Sequence, residues 1–216
     1  MVWKPFCFWL VSVTVGGGAL APASARASAP AEEGLQKSDV PQGTEVSQLP
    51  SGASPTLSVV FPDLEKSDDF VAIVEAFEKH FDIPRGLLLA IATVESMRRA
   101  LAVHNFQGSR YFSSLADAVD YVNEHERKYG RSISIGYMQI NWHVHKDKFN
   151  SLQEAFSPYH NVRAAVEILL KLYRRHGSWE KAIGWYNPKG GKWNRVYFQK
   201  VRRSWSFSVG SLMKPS

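Results

Sequence analysis

Residues 84–96 read Pro84-Arg85-Gly86-Leu87-Leu88-Leu89-Ala90-Ile91-Ala92-Thr93-Val94-Glu95-Ser96. Asp82 and Pro84 mark a helix start, because proline's missing N–H costs nothing in a first turn that has no partner for it. At helical spacing Leu88, Ile91, Ala92 and Glu95 share one face, so a carboxyl group ends an otherwise apolar stripe. Either that carboxyl meets packed hydrocarbon or the helix end carries it to water. Burial without a cationic partner disfavours the charged form and raises the pKa, which is how a glutamate serves as a general acid near neutral pH. For one glutamate in isolation a solvated helix end is the ordinary reading. The rest of the chain has to decide.

On either side of this stretch the pattern is helical. Ser67 is positioned to cap a preceding helix with the stripe Phe70, Val74, Phe77 and Phe81. After Ser96, Leu101 to Phe112 reads as a short hairpin turning at Gln107-Gly108. Ser113 or Ser114 then caps a helix with Leu115, Ala118, Val119 and Val122 on one face, stopped by Gly130. Asn161 is expected to cap the strongest amphipathic helix, with Val162, Ala165, Val166, Leu169 and Tyr173 inward and Gly177 past its end. Ser178 caps the next, through Trp179, Ala182, Ile183 and Tyr186, which Pro188 and Gly190-Gly191 stop. A last helix carries Trp193, Tyr197, Val201 and Trp205. The expected fold is mainly α, a compact helical domain with a minor β-hairpin.

Three short strings fall in order along these elements: Glu95-Ser96 at a helix end, Gly136-Tyr137-Met138-Gln139-Ile140-Asn141, and Trp185-Tyr186-Asn187. Together they resemble the lytic transglycosylases, peptidoglycan-cleaving enzymes with a lysozyme-like helical fold. That family has a helix ending in Glu-Ser, then Gly-Leu-Met-Gln, then Ala-Tyr-Asn. The resemblance covers residues 63–205. Tyr137 stands in place of the usual Leu, Trp185 in place of the usual Ala, and Pro188 precedes the position of the usual Gly. The longer interval between Glu95 and Gly136, and the Trp-rich end, are similar to the small specialised members that serve secretion, conjugation or pilus machines.

The resemblance implies Glu95 as catalytic acid and then base. It implies substrate-binding roles for Ser96, Met138, Gln139, Tyr186 and Asn187, with Asn141 a weaker candidate. Ser96 would orient the substrate's N-acetyl group or the acid. Met138 and Gln139 would line the sugar sites, Tyr186 would bring its hydroxyl near Glu95, and Asn187 would hold the cleft wall. Most glycosidases need two carboxylates about the bond. Asp117, Asp120, Glu124, Glu126, Asp147, Glu154 and Glu167 are available, but none belongs to a motif and solvated positions explain them. The family's chemistry needs only one, because ring closure by the muramic C6 hydroxyl replaces attack by water. A lysozyme-type hydrolase on the same fold and an inactive glycan-binding scaffold are the competing readings.

Composition bounds the setting. Lys4, the apolar run Phe6 to Leu20 with Gly16-Gly17-Gly18, and the small-residue sites Ala23-Ser24-Ala25 and Ala25-Arg26-Ala27 read as a secretory signal peptide over residues 1–27. Cys7, the only cysteine, would leave with it, so no disulfide, thiol nucleophile or thiolate ligand is expected in the exported protein. Residues 28–62, rich in Ser, Pro, Gly, Ala and Gln, read as a disordered linker, residues 63–205 as the catalytic domain and 206–216 as a tail. The expected location is the periplasm, with no stable membrane span once the signal is cleaved.

Loss of Lys4 and Arg26 and of no acid takes the formal charge from +6 to +4. The excess is local: Lys171 to Arg203 holds ten Lys or Arg and one acid, Glu180. That basic stretch suggests an anionic partner or simply a solvated face, and an exported protein meets envelope polymers before nucleic acid. Peptidoglycan strands and secretion, conjugation or pilus components are the expected partners, with no nucleic acid. No metal or other cofactor is expected, since His143 and His145 lack further ligands at a suitable spacing.

Overall fold

Helix α1 (Phe70–His80) buries Phe70, Ile73, Val74 and Phe77. Its cap is Asp69, whose carboxylate accepts from Val71 and Ala72 N–H at 3.1 and 3.0 Å, and the expected cap Ser67 instead accepts from Asp69 N–H. The computed structural model that shows this describes residues 61–187 and 190–212. The expected signal peptide, residues 28–60 of the expected linker, Pro188 and the last four residues of the expected tail lie outside the described residues.

Helix α2 (Leu87–Ser96) starts three residues later than Pro84 suggested. Pro84 sits in a turn, its carbonyl accepting from Leu87 N–H at 3.0 Å, and Gly86 supplies a left-handed residue, φ 78°, at the N-cap. The orphan N–H groups of this helix are closed from another element. Glu78 of α1, 3% exposed, accepts from Gly86 N–H at 2.6 Å and from Leu88 N–H at 2.7 Å. Every residue from Leu87 to Ala92 is buried, so the helix is wrapped on all sides rather than along one stripe.

Strands β1 (Ala102–Asn105) and β2 (Gly108–Tyr111) form the hairpin, with Asn105 opposite Gly108, so the turn is Phe106-Gln107, one residue before the expected place. Helix α3 (Leu115–Tyr129) is capped by Ser114 and ends at left-handed Gly130. Ala118, Val119 and Val122 face inward, whereas Leu115 is exposed. Strands β3 (Ser134–Ile135) and β4 (Ile140–Asn141) extend the hairpin into a four-stranded antiparallel sheet of order β2-β1-β3-β4.

The short helix α4 (Trp142–His145), a 3₁₀ turn and α5 (Leu152–Phe156) lead to α6 (Pro158–His176). Pro158 opens α6, and Asn161 lies inside its first turn, fully buried, rather than capping it. Helix α7 (Trp179–Tyr186) has the expected Ser178 cap. Helix α8 (Lys192–Leu212) continues past residue 205, so the tail expected from 206 begins as helix.

The apolar residues sort into two clusters. The larger gathers α1, α2, α6, Ile183 of α7, and Tyr197, Phe198 and Val201 of α8 about the central α2. The smaller joins Val103, Ile135, Ala118, Val122, Trp142 and Phe156 beneath the sheet. The fold is mainly α, lysozyme-like, with the small sheet beside the helices. Among the described residues no helix is long and apolar enough to cross a membrane.

Candidate active site

Glu95 sits in the last turn of α2, just before a strained exit. Met97 and Arg98 both take left-handed backbone, φ 56° and 57°, which non-glycine residues seldom adopt and which tends to persist at working sites. Ser96 holds that exit: its Oγ accepts from Arg99 N–H at 3.3 Å. The same Oγ lies 2.7 Å from the Tyr137 carbonyl and 3.1 Å from that of Ala92, so its one proton bridges α2 to the turn between β3 and β4.

That turn is built around Gly136 and Gln139, both left-handed at φ 79° and 50°. Asn161 fastens it from beneath. Its Oδ1 accepts from Met138 N–H at 2.8 Å, and its Nδ2 donates to the Ile135 and Ala155 carbonyls at 3.2 and 2.9 Å. A Cβ on residue 136 would fall 2.3 Å from Asn161 Nδ2, so glycine is demanded there twice, by φ and by space. Above the turn, Tyr186 Oη donates to the Met138 carbonyl at 2.9 Å.

Glu95 opens onto a groove of about 140 Å³ that is lined also by Gln139, Asn141, His145, Trp185, Tyr186 and Asn187. Its Oε1 accepts from Tyr197 Oη of α8 at 2.6 Å. Burial, then the charge of Glu95, pushes the Tyr186 phenol well above its ordinary range, so it stays a donor. Burial, then Lys148, holds His145 below the usual imidazole range, so that it is neutral at pH 7. The arrangement offers one carboxyl held by a phenol, with amides and aromatic rings beside it. Such a set can pass a proton to a bound polar substrate and take it back.

A family model described as a transglycosylase SLT domain matches residues 72–204. The chain belongs to that family. No curated protein and no solved structure matches the chain. The family is that of the lytic transglycosylases of the lysozyme-like superfamily, and peptidoglycan is its substrate.

Of the residues singled out from sequence, this SLT domain brings Glu95, Gln139, Tyr186 and Asn187 to one groove, together with Asn141. Two do not line it. Ser96 is 1% exposed and its hydroxyl is committed to backbone groups, so it braces the turn instead of meeting substrate. Met138 is fully buried in the main cluster, and its N–H and carbonyl are taken by Asn161 and Tyr186, so it anchors the turn from inside.

Gln139 is narrower in its offer than expected. Its Nε2 donates to the Ala102 and Gly136 carbonyls, leaving Oε1 as the group for a ligand. Asn187 is buried at the C-cap of α7, and Asn141 caps α4 through its Oδ1. Tyr137, the departure from the usual Leu, stacks on Phe70 at 3.9 Å and lies away from the groove lining.

Sequence reasoning missed Tyr197 and His145. Tyr197 was legible only as a core position of the last helix, since nothing local signals a bond to a residue 102 positions away. His145, in a His-x-His pair, pointed if anywhere to metal.

Proposed function

We propose that the chain is a peptidoglycan lytic transglycosylase that cleaves the β-1,4 bond between N-acetylmuramic acid and N-acetylglucosamine, with Glu95 as the single acid–base group. The observation that carries this reading is that Glu95 is the one carboxylate among the described residues lining the groove. A two-carboxylate glycosidase sets its groups about 5–5.5 Å apart when retaining and about 6.5–9.5 Å apart when inverting. Of the seven acids considered as a second group none lines the groove, and four are engaged elsewhere: Asp117 with Ser114, Glu126 with Trp142, Glu154 with Arg163, and Glu167 with Lys148.

In this reading protonated Glu95 gives its proton to the glycosidic oxygen as the C1–O bond of the muramic residue breaks. The sugar's own acetamido oxygen stabilises the developing cation. Glu95, now a carboxylate, takes the proton of the muramic C6 hydroxyl, whose oxygen closes onto C1. One end is a free N-acetylglucosamine 4-hydroxyl and the other a 1,6-anhydro ring. The proton is returned to Glu95 and no water is consumed. Tyr197, donating to Oε1, keeps the acid proton on the other oxygen and fixes the carboxyl's direction. Proton transfer of this kind contributes about 10²–10⁴-fold.

Export through a signal at residues 1–27 would bring the enzyme to the periplasm, where it would open the wall for a secretion, conjugation or pilus machine. What supports this is Lys4 with the apolar run after it, and the likeness of the long Glu95–Gly136 interval and the Trp-rich end to the small specialised members.

Digestion of purified sacculi followed by mass spectrometry tests the chemistry. Anhydro ends are expected, whereas reducing ends would make the chain a lysozyme-type hydrolase. Glu95→Gln should lower turnover by at least about 10²-fold with the fold retained, and full turnover by that variant would end the assignment.

A further inference from the structure

Trp185 differs from Trp142, Trp179 and Trp205. Trp142 is 9% exposed and its indole N–H donates to Glu126, while the N–H of Trp205 donates to the Arg85 carbonyl. Trp179 packs on the main cluster, stacked on Tyr173 at 4.3 Å. Trp185 is 41% exposed, lines the Glu95 groove, and makes no indole N–H bond among the described residues. Its ring lies parallel to that of His176, with centroids 5.3 Å apart and planes within 2°. His176 is therefore stacked in parallel on the indole and holds its direction, while the ring stays open to the groove. A large aromatic held this way gives up little conformational freedom when something covers it.

The groove joins that ring to Gln139 Oε1, neutral His145 and Asn187. A pyranose has one face of C–H groups, apolar and slightly positive, which suits the negative face of an indole, while its hydroxyls and acetamido group reach outward to amides. The described lining carries no Lys or Arg, so it has nothing to grip a carboxylate. We infer that Trp185, braced by His176, forms a sugar-stacking subsite beside Glu95 that takes the apolar face of a neutral N-acetylglucosamine ring. This rests on reading the groove as a glycan cleft.

The test uses the full chain carrying Glu95→Gln, so that binding is read without turnover. It is titrated with the N-acetylglucosamine tetramer by calorimetry. Adding Trp185→Ala should weaken binding about tenfold, the effect of leaving one ring face wet, while Trp185→Phe should stay within about threefold. His176→Ala should weaken binding by an intermediate factor with Trp185 in place. Equal affinity for the Ala variant and its parent, at an unchanged melting temperature, would overturn the subsite, as would no binding by a parent whose wild type cleaves sacculi. Trp185-dependent binding by a chain whose wild type leaves sacculi intact would keep the subsite and remove the lyase reading.

Discussion

Replacing Glu78 by Gln perturbs the far end of the helix that carries Glu95. Both carboxylate oxygens of Glu78 accept from the start of α2, at 2.6 and 2.7 Å, in a site 3% exposed. An amide can accept from one of those N–H groups but must turn its own NH₂ toward the other. That leaves a buried N–H without an acceptor, which costs about 1–3 kcal/mol, so the variant should lose about that much. For a folded domain of this size each kcal/mol moves Tm by about 2–4 °C, which predicts a fall of about 2–12 °C at pH 7.

The pH dependence adds a second readout. Burial raises Glu78 from 4.5 to about 7, against the two backbone donors that pull it down. Between those values the folded state holds a proton that the unfolded chain has released. The contribution is therefore complete below about 4.5 and fades as pH rises through about 7. The most it can amount to is about 3 kcal/mol across that window. Denaturant unfolding at pH 5, 6, 7 and 8 should show wild-type stability sloping downward and the Gln variant flatter. Equal melting temperatures and parallel slopes would refute the capping argument.

Tyr197→Phe removes the hydroxyl that donates to Glu95 Oε1 without removing packing volume; turnover on sacculi should fall about tenfold with only a small change in KM, and an unchanged rate would make the contact incidental. Gly136→Ala sets a Cβ against Asn161 at a left-handed φ and should cost about 2–4 kcal/mol, read as a lowered denaturation midpoint; wild-type stability would show that the turn relaxes freely.

Local signals carried most of the fold. Ser114 and Ser178 cap as read because an N-cap contact spans three residues, and the hairpin is off by one because Asn105 accepts from Gln107 N–H and tightens the turn earlier. What escaped was non-local. Glu78 looks like any solvated helical acid until α2 folds back on it. Asn161 resembles a cap, yet its partners lie between Ile135 and Ala155. The groove was legible through Glu95, Gln139, Tyr186 and Asn187. Ser96 and Met138 share strings with those residues but point into the protein, because a tight turn has an inside as well as an outside.

The fit of Asn161 beneath residue 136 leaves little room for drift at either position. A side chain gained at 136 demands a smaller neighbour at 161, and a smaller neighbour strands an amide and two carbonyls in a dry interior. Redesign of the cleft is therefore freer along its α7 rim, where Trp185 already stands outside the packed interior, than along the loop beneath it.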